Sequence, residues 1–225
     1  LIFFLMANIE TTIAPWMIFF QQSAVVDKGM GKKDIPWGKV DTVIGAVFTV
    51  LVAIFIIIVT GTLLYGLNVE SAAQASQLMM GTNPMVGTLL AIGLFNAGLL
   101  GAICISLTSS WAFGEVFGWA HSLNNRIREA SWFYLYYIIL LITAGLIVLI
   151  PGAPLVLITL FVQVIAVTLL PAALVFLIIL LNNEDIMGEY RNTRLQNVVS
   201  ITIVLAVIVL STLYSFSVLF PELFA

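Results

Sequence analysis

Apolar positions along the chain fall in long continuous runs, without strict alternation, at residues 3–26, 42–66, 86–119, 131–150, 155–181 and 196–219. About 20 helical residues cross a hydrocarbon layer of ~30 Å, so the pattern predicts six transmembrane helices in one transmembrane domain spanning 1–225. The predicted class is an all-α membrane protein. A β-barrel is disfavoured, because its signature is alternation over segments of roughly ten residues. The longest linker is expected at 67–85, where Gly81, Asn83 and Pro84 gather.

Composition agrees with this pattern. Apolar residues make up 62% of the chain and charged residues 8%, with a mean hydropathy of +1.16, outside the range of soluble domains. The lipid bilayer is therefore the expected surrounding, and no nucleic-acid partner is expected. The lone Cys104 lies within the third run and forms no intrachain disulfide.

Charge placement sets an expected orientation, since Lys and Arg of short loops stay on the cytoplasmic side. Lys28, Lys32, Lys33 and Lys39 separate runs one and two; Arg126 and Arg128 separate three and four; Arg191 and Arg194 separate five and six. The intervening loops 67–85 and 151–154 carry neither residue. The first span should therefore enter from outside, and the C-terminus, with Glu222, should lie outside. The chain opens on Leu-Ile-Phe-Phe with no charged leader, which reads as the C-terminal portion of a longer protein. A cytoplasmic N-terminus then requires an odd number of upstream helices.

The first span carries the chemistry. Pro15 has no N–H, so the Thr11 carbonyl loses its helical partner, and the ring crowds the same turn. Thr11 and Thr12 weaken helical geometry further, through β-branching and hydroxyls that bond the local backbone. A helix break is expected at 11–15. In hydrocarbon such a break is tolerated where it is buried in protein or lines a watery cavity, and transporters use it to coordinate cations through unwound carbonyls. The competing reading is a proline kink repaired by a threonine hydroxyl. Glu10, just before the break, is a costly intramembrane carboxylate that by default marks a pathway, although proximity to the outer interface accounts for it as well. Gln21 and Gln22 lie two to three turns beyond the break; at least one can face a lumen, and both also suit an interface just before Asp27 and Lys28.

The run IETTIAPWMIFFQQSAVV at 9–26 resembles the sixth transmembrane helix of the Nramp divalent-metal transporters, a broken helix carrying Met-Pro-His and then a Ser-Ala-Leu-Val-like stretch. NNEDIMGEYRN at 182–192 is similar to that family's Leu-Met-Gly-(Glu/Asp)-aromatic-x-Asn segment, and Gln163 with Leu170-Pro171 resembles the preceding helix. The resemblance implies helices six to eleven of a LeuT-like inverted-repeat fold, with five helices upstream. It implies a metal site comprising the Thr11 backbone carbonyl, the Ala14 position and the Gln163 side chain, completed by an Asp and an Asn outside this chain.

Two departures redirect the expected substrate. Ala14 stands where the family has a metal-ligating Met, and Trp16 where it has His. Losing the soft thioether leaves oxygen chemistry suited to a hard cation, and Mg²⁺ prefers sites where it keeps several waters. The pattern is most similar to the Nramp-related magnesium transporters. Met17, three residues on, is a lesser candidate for replacing the sulfur.

Proton coupling is not expected, because the only histidine, His121, falls by a cytoplasmic loop and the span beginning Trp132-Phe133-Tyr134 is uncharged. Glu10 is the exception that a raised pKa could turn into a proton site. The expected activity is facilitated Mg²⁺ uptake by alternating access, with Mn²⁺ as a second substrate, no cofactor, and a bacterial or archaeal plasma membrane as location. The alternatives are a proton-coupled transition-metal transporter of the same family, an amino-acid permease of the same broken-helix fold, and a structural membrane subunit. An enzyme is disfavoured: Gly-x-Ser-x-Gly and His-Glu-x-x-His are both missing, and His121 lacks a nucleophile to pair with inside the bilayer.

Several other polar residues invite plainer readings. Ser106, Thr108, Ser109 and Ser110 suit helix packing better than a cavity lining. Asn96 needs a partner at its depth. Glu115 reads as a hydrated or paired interface acid, and Pro171 frees the Val167 carbonyl and should bend its helix.

Overall fold

The computed structural model describes residues 14–69 and 71–219. The described residues are helical, with no strands: α1 (Pro15–Asp27), α2 (Ile35–Leu63), α3 (Ala72–Thr82), α4 (Pro84–Phe117), α5 (Ser131–Leu149), α6 (Leu155–Asn182), the single-turn α7 (Glu184–Met187) and α8 (Arg194–Leu219), with 3₁₀ turns at Lys32–Asp34 and Gly188–Tyr190. Four stretches are long and apolar enough to cross a membrane, Lys32–Leu63, Pro84–Phe117, Ser131–Leu149 and Leu157–Asn182. A fifth is added if Glu184–Tyr190 and Arg194–Leu210, bent by 116° at their junction, count as one span. At 1.5 Å per residue α4 extends about 50 Å, well beyond a hydrocarbon core of ~30 Å.

The expected linker at 67–85 is instead largely the helix α3, and local capping explains it. Ser71 Oγ accepts the Gln74 N–H at 3.1 Å, closing the first turn over a run of helix-favouring Ala and Gln. Asn83 then separates two helices, its Oδ1 accepting the Met85 and Val86 N–H groups at 3.2 and 3.3 Å, while Pro84 occupies the first turn where a missing N–H costs nothing. Asn83 thus starts α4 directly.

The chain divides into two compact units, residues 22–141 and residues 1–21 with 142–225. In the first, Met79 of α3 is 1% exposed, and α3 approaches α4 so closely that a Cβ on Gly87 would lie 2.3 Å from the Met80 backbone nitrogen. No L side chain fits there without moving backbone. At the other end of α4, Gly118 takes φ +69°, the left-handed cap that glycine adopts without penalty. The chain then folds back, so that a Cβ on Gly114 would lie 2.3 Å from His121 Cβ.

In the second unit, Leu170 and Leu174 of α6 interlock with Val204 and Val207 of α8, and Ile18 of α1 packs against this cluster. The segment 182–192, which carried one of the sequence resemblances, forms the turn between α6 and α8. Asn182 and Asn192 amide groups both donate to Asn197 Oδ1, at 2.9 and 3.1 Å, the Asn192 N–H donates to the Leu181 carbonyl at 3.1 Å, and Gly188 adopts φ +52°. Its polar residues and its glycine are therefore explained by a reversal of chain direction. The α6 helix remains continuous through Pro171.

Several hydroxyls within the spans are satisfied locally. Thr42, Thr49, Thr60 and Thr62 of α2 each donate to a carbonyl four residues back, which keeps them compatible with hydrocarbon. Ser106, Thr108 and Ser110 are buried, with Thr108 bonded to the Cys104 carbonyl at 2.7 Å and Ser110 to the Ser106 carbonyl at 2.9 Å. Packing, rather than a cavity lining, accounts for them.

Candidate functional site

The expected break at 11–15 is described only from Ala14 onward; Glu10 and Thr11, and with them the freed carbonyl, lie outside the described residues. Ala14 stands outside the helix, and α1 begins at Pro15. A proline ring pre-sets φ for the first helical turn and removes an N–H that would be unpaired there. The Ala14 carbonyl accepts the Met17 N–H at 3.0 Å. Pro15 thus starts α1.

Gln163 is half-buried on α6. Seven residues separate it from Leu170 and eleven from Leu174, and at about 100° per residue these spacings return to within about 20° of its own direction. Gln163 therefore shares the α6 face whose Leu170 and Leu174 form the core that Ile18 of α1 packs against. Ile18 is one helical turn, about 6 Å, past Ala14, and Leu170 is two turns, roughly 10 Å, past Gln163. The start of α1 and Gln163 of α6 belong to the same unit.

Other candidates are placed differently. Gln21 and Gln22 are both exposed. Met17 is 38% exposed, and Trp16 packs edge-on against Phe20 with ring centroids 6.3 Å apart. Asn96 and Glu115 are exposed on α4. Among the described residues, no three His, Cys, Asp or Glu side chains converge on a common point that could hold a metal. The polar groups at the α1 start and at position 163 are a main-chain carbonyl and a side-chain amide, whose oxygens are hard in character.

One feature near the opposite end of α1 gave no sequence signal. Asp27 Oδ2 accepts the Leu123 N–H at 3.1 Å, and the Asp27 carbonyl accepts the Asn124 side-chain amide at 2.7 Å. Partners 96 and 97 residues apart carry no periodicity that a sequence can display.

The family model described as "Natural resistance-associated macrophage protein-like", Nramp, matches residues 1–217. The chain belongs to the Nramp family. A comparison with individually curated proteins gives no match. As an Nramp protein it is an integral membrane protein of divalent-metal transport and not an enzyme, and its described helices agree with a portion of the LeuT-like fold. Membership in Nramp makes Ala14 informative, because it occupies the place beside Pro15 where the resemblance puts a metal-ligating methionine.

Proposed function

We propose that this Nramp protein conducts Mg²⁺ down its electrochemical gradient by alternating access, without proton coupling and with Mn²⁺ as a poorer substrate. The observation carrying this reading is Ala14, a side chain without sulfur placed just before a helix that starts at Pro15. The ion is held by the Thr11 carbonyl, at the Ala14 position, and by the Gln163 side-chain oxygen, with waters filling the space a methionine would take. Oxygen donors without a thioether favour a hard cation, and Mg²⁺ gives up its waters reluctantly. Glu10 attracts cations to the outer mouth, and Gln21 and Gln22 line part of the path.

On this reading the segments at 3–26, 42–66, 86–119, 131–150, 155–181 and 196–219 form six spans, with the basic loops inside and the C-terminus outside a bacterial or archaeal plasma membrane. The remaining ligands come from upstream helices. The reading is tested by Mg²⁺ and Mn²⁺ uptake into liposomes holding the full-length transporter. Gln163→Ala is expected to lower Mg²⁺ uptake about tenfold, the equivalent of ~1.4 kcal/mol of lost binding. Unchanged Mg²⁺ uptake in that variant overturns the assigned site.

A further inference from the structure

The far end of α1 is held by an arrangement that the helix itself does not need. Asp27 closes α1 with a carboxylate, and a negative charge at a helix C-terminus opposes the helix dipole. The turn that follows satisfies the carbonyls of Ala24, Val25 and Val26 with the N–H groups of Lys28, Met30 and Gly29, at 3.0, 3.1 and 3.0 Å. Asp27 is left over, and two of its oxygens turn to the loop after α4. Its Oδ2 accepts the Leu123 N–H at 3.1 Å, and its carbonyl accepts the Asn124 side-chain amide at 2.7 Å.

The receiving loop is shaped by its own bonds. The Asn125 N–H donates to the Ser122 carbonyl and the Asn124 N–H to Ser122 Oγ, each at 3.1 Å, and the Tyr134 hydroxyl of α5 donates to the Asn125 carbonyl at 3.0 Å. None of these bonds involves α1, so the two donors that meet Asp27 are organised in advance. On the other side the connection is slack. Gly29, at φ +65°, and Gly31 have nothing within 4 Å of an added Cβ, so no packing at these positions braces the chain between α1 and α2. Behind the contact, Ser23, one turn before Asp27, is 6% exposed. It faces a cavity of about 250 Å³ that Asp27, Glu115 and His121 also line.

We propose that Asp27 and the loop 122–125 form a latch, closed in this structure, whose release frees the end of α1 during transport. Asp27 is then a positioning residue and not an ion ligand. Both of its bonds to the loop are exposed to water, and such bonds exchange for bonds to water at small net cost, which suits a contact that must open and close. A helix of 13 residues is a rod about 20 Å long. Movement at Asp27 is therefore carried to the turn that starts at Pro15, beside Ala14.

This inference rests on the alternating-access reading above, though not on which ion is carried. The test is the rate at which a water-soluble thiol reagent modifies Ser23→Cys in the full-length transporter in lipid nanodiscs, with the unsubstituted transporter as blank. Asn124 is exposed and lies outside the cavity lining, so Asn124→Ala breaks one bond without widening the cavity or disturbing packing. It is expected to speed modification about fivefold, the equivalent of ~1 kcal/mol, one exposed hydrogen bond. Saturating Mg²⁺ or Mn²⁺ is expected to change the rate about fivefold in the Ser23→Cys protein and by less when Asn124→Ala is added. A response to Mn²⁺ alone supports the latch and overturns the Mg²⁺ reading. Equal rates with and without Asn124→Ala, or no response to either ion, overturns the latch.

Discussion

The two compact units hold together by different means, and they present different polar groups. In residues 22–141, glycines allow close approach, with a Cβ on Gly87 meeting the Met80 backbone and one on Gly114 meeting the His121 side chain, each at 2.3 Å. In residues 1–21 and 142–225, branched side chains interlock at Leu170, Leu174, Val204 and Val207. The first unit presents carboxylates and an imidazole in an open recess. The second presents a carbonyl at the start of α1 and the Gln163 amide beside an apolar core. Neutral oxygen donors suit an ion that has surrendered part of its shell. On the proposed reading, the neutral oxygen donors of the second unit are what discriminates among cations.

The largest way to break the contrast is Gly87→Val, which forces branched carbons into the Met80 backbone. It is expected to cost about 3 kcal/mol and to release α3 from α4, read as a lower midpoint of thermal unfolding in detergent. An unchanged midpoint contradicts the close-approach account. Leu170→Ala probes the other unit, where a cavity forms but no backbone must move. Its expected cost is about 2 kcal/mol, with a loss of order around Ile18 visible as faster hydrogen exchange in α1. Asn83→Ala removes a side-chain cap from two N–H groups and is expected to cost about 1 kcal/mol, fraying the start of α4 while Mg²⁺ uptake continues. The smallest effect belongs to Arg191→Ala, since the Arg191–Glu184 pair, 2.7 Å apart, has both side chains largely exposed; stability is expected to change by less than about 0.5 kcal/mol.

Much of the architecture was legible because the spans are dominated by one physical demand, continuous burial of backbone polar groups in hydrocarbon. Long helices α2, α4, α5, α6 and α8 lie over the later apolar runs, with α2 starting at Ile35, ahead of the run at 42–66. The helix α3 has a Ser71 cap on the Gln74 N–H, a weaker signal in the sequence than the turn-forming Gly81, Asn83 and Pro84 at its far end. Those residues terminate one helix and start the next rather than forming a loop. The Ser106 to Ser110 cluster was legible as packing. The recess was not legible. Glu115 and His121 each look ordinary alone, and only the fold brings them to Ser23 and Asp27 across about ninety residues of sequence.

The residue that decides the central claim is Ala14. The most direct measurement follows Mg²⁺ and Mn²⁺ entry, together with internal pH, in liposomes carrying the full-length transporter and its Ala14→Met variant. The account predicts Mg²⁺ uptake without acidification in the parent protein, and in the variant a fall of about tenfold for Mg²⁺ with a gain for Mn²⁺, as a soft ligand re-enters the site. Acidification that tracks Mn²⁺ entry in the parent protein, with no Mg²⁺ flux, contradicts it and assigns the chain a proton-coupled transition-metal mechanism despite Ala14.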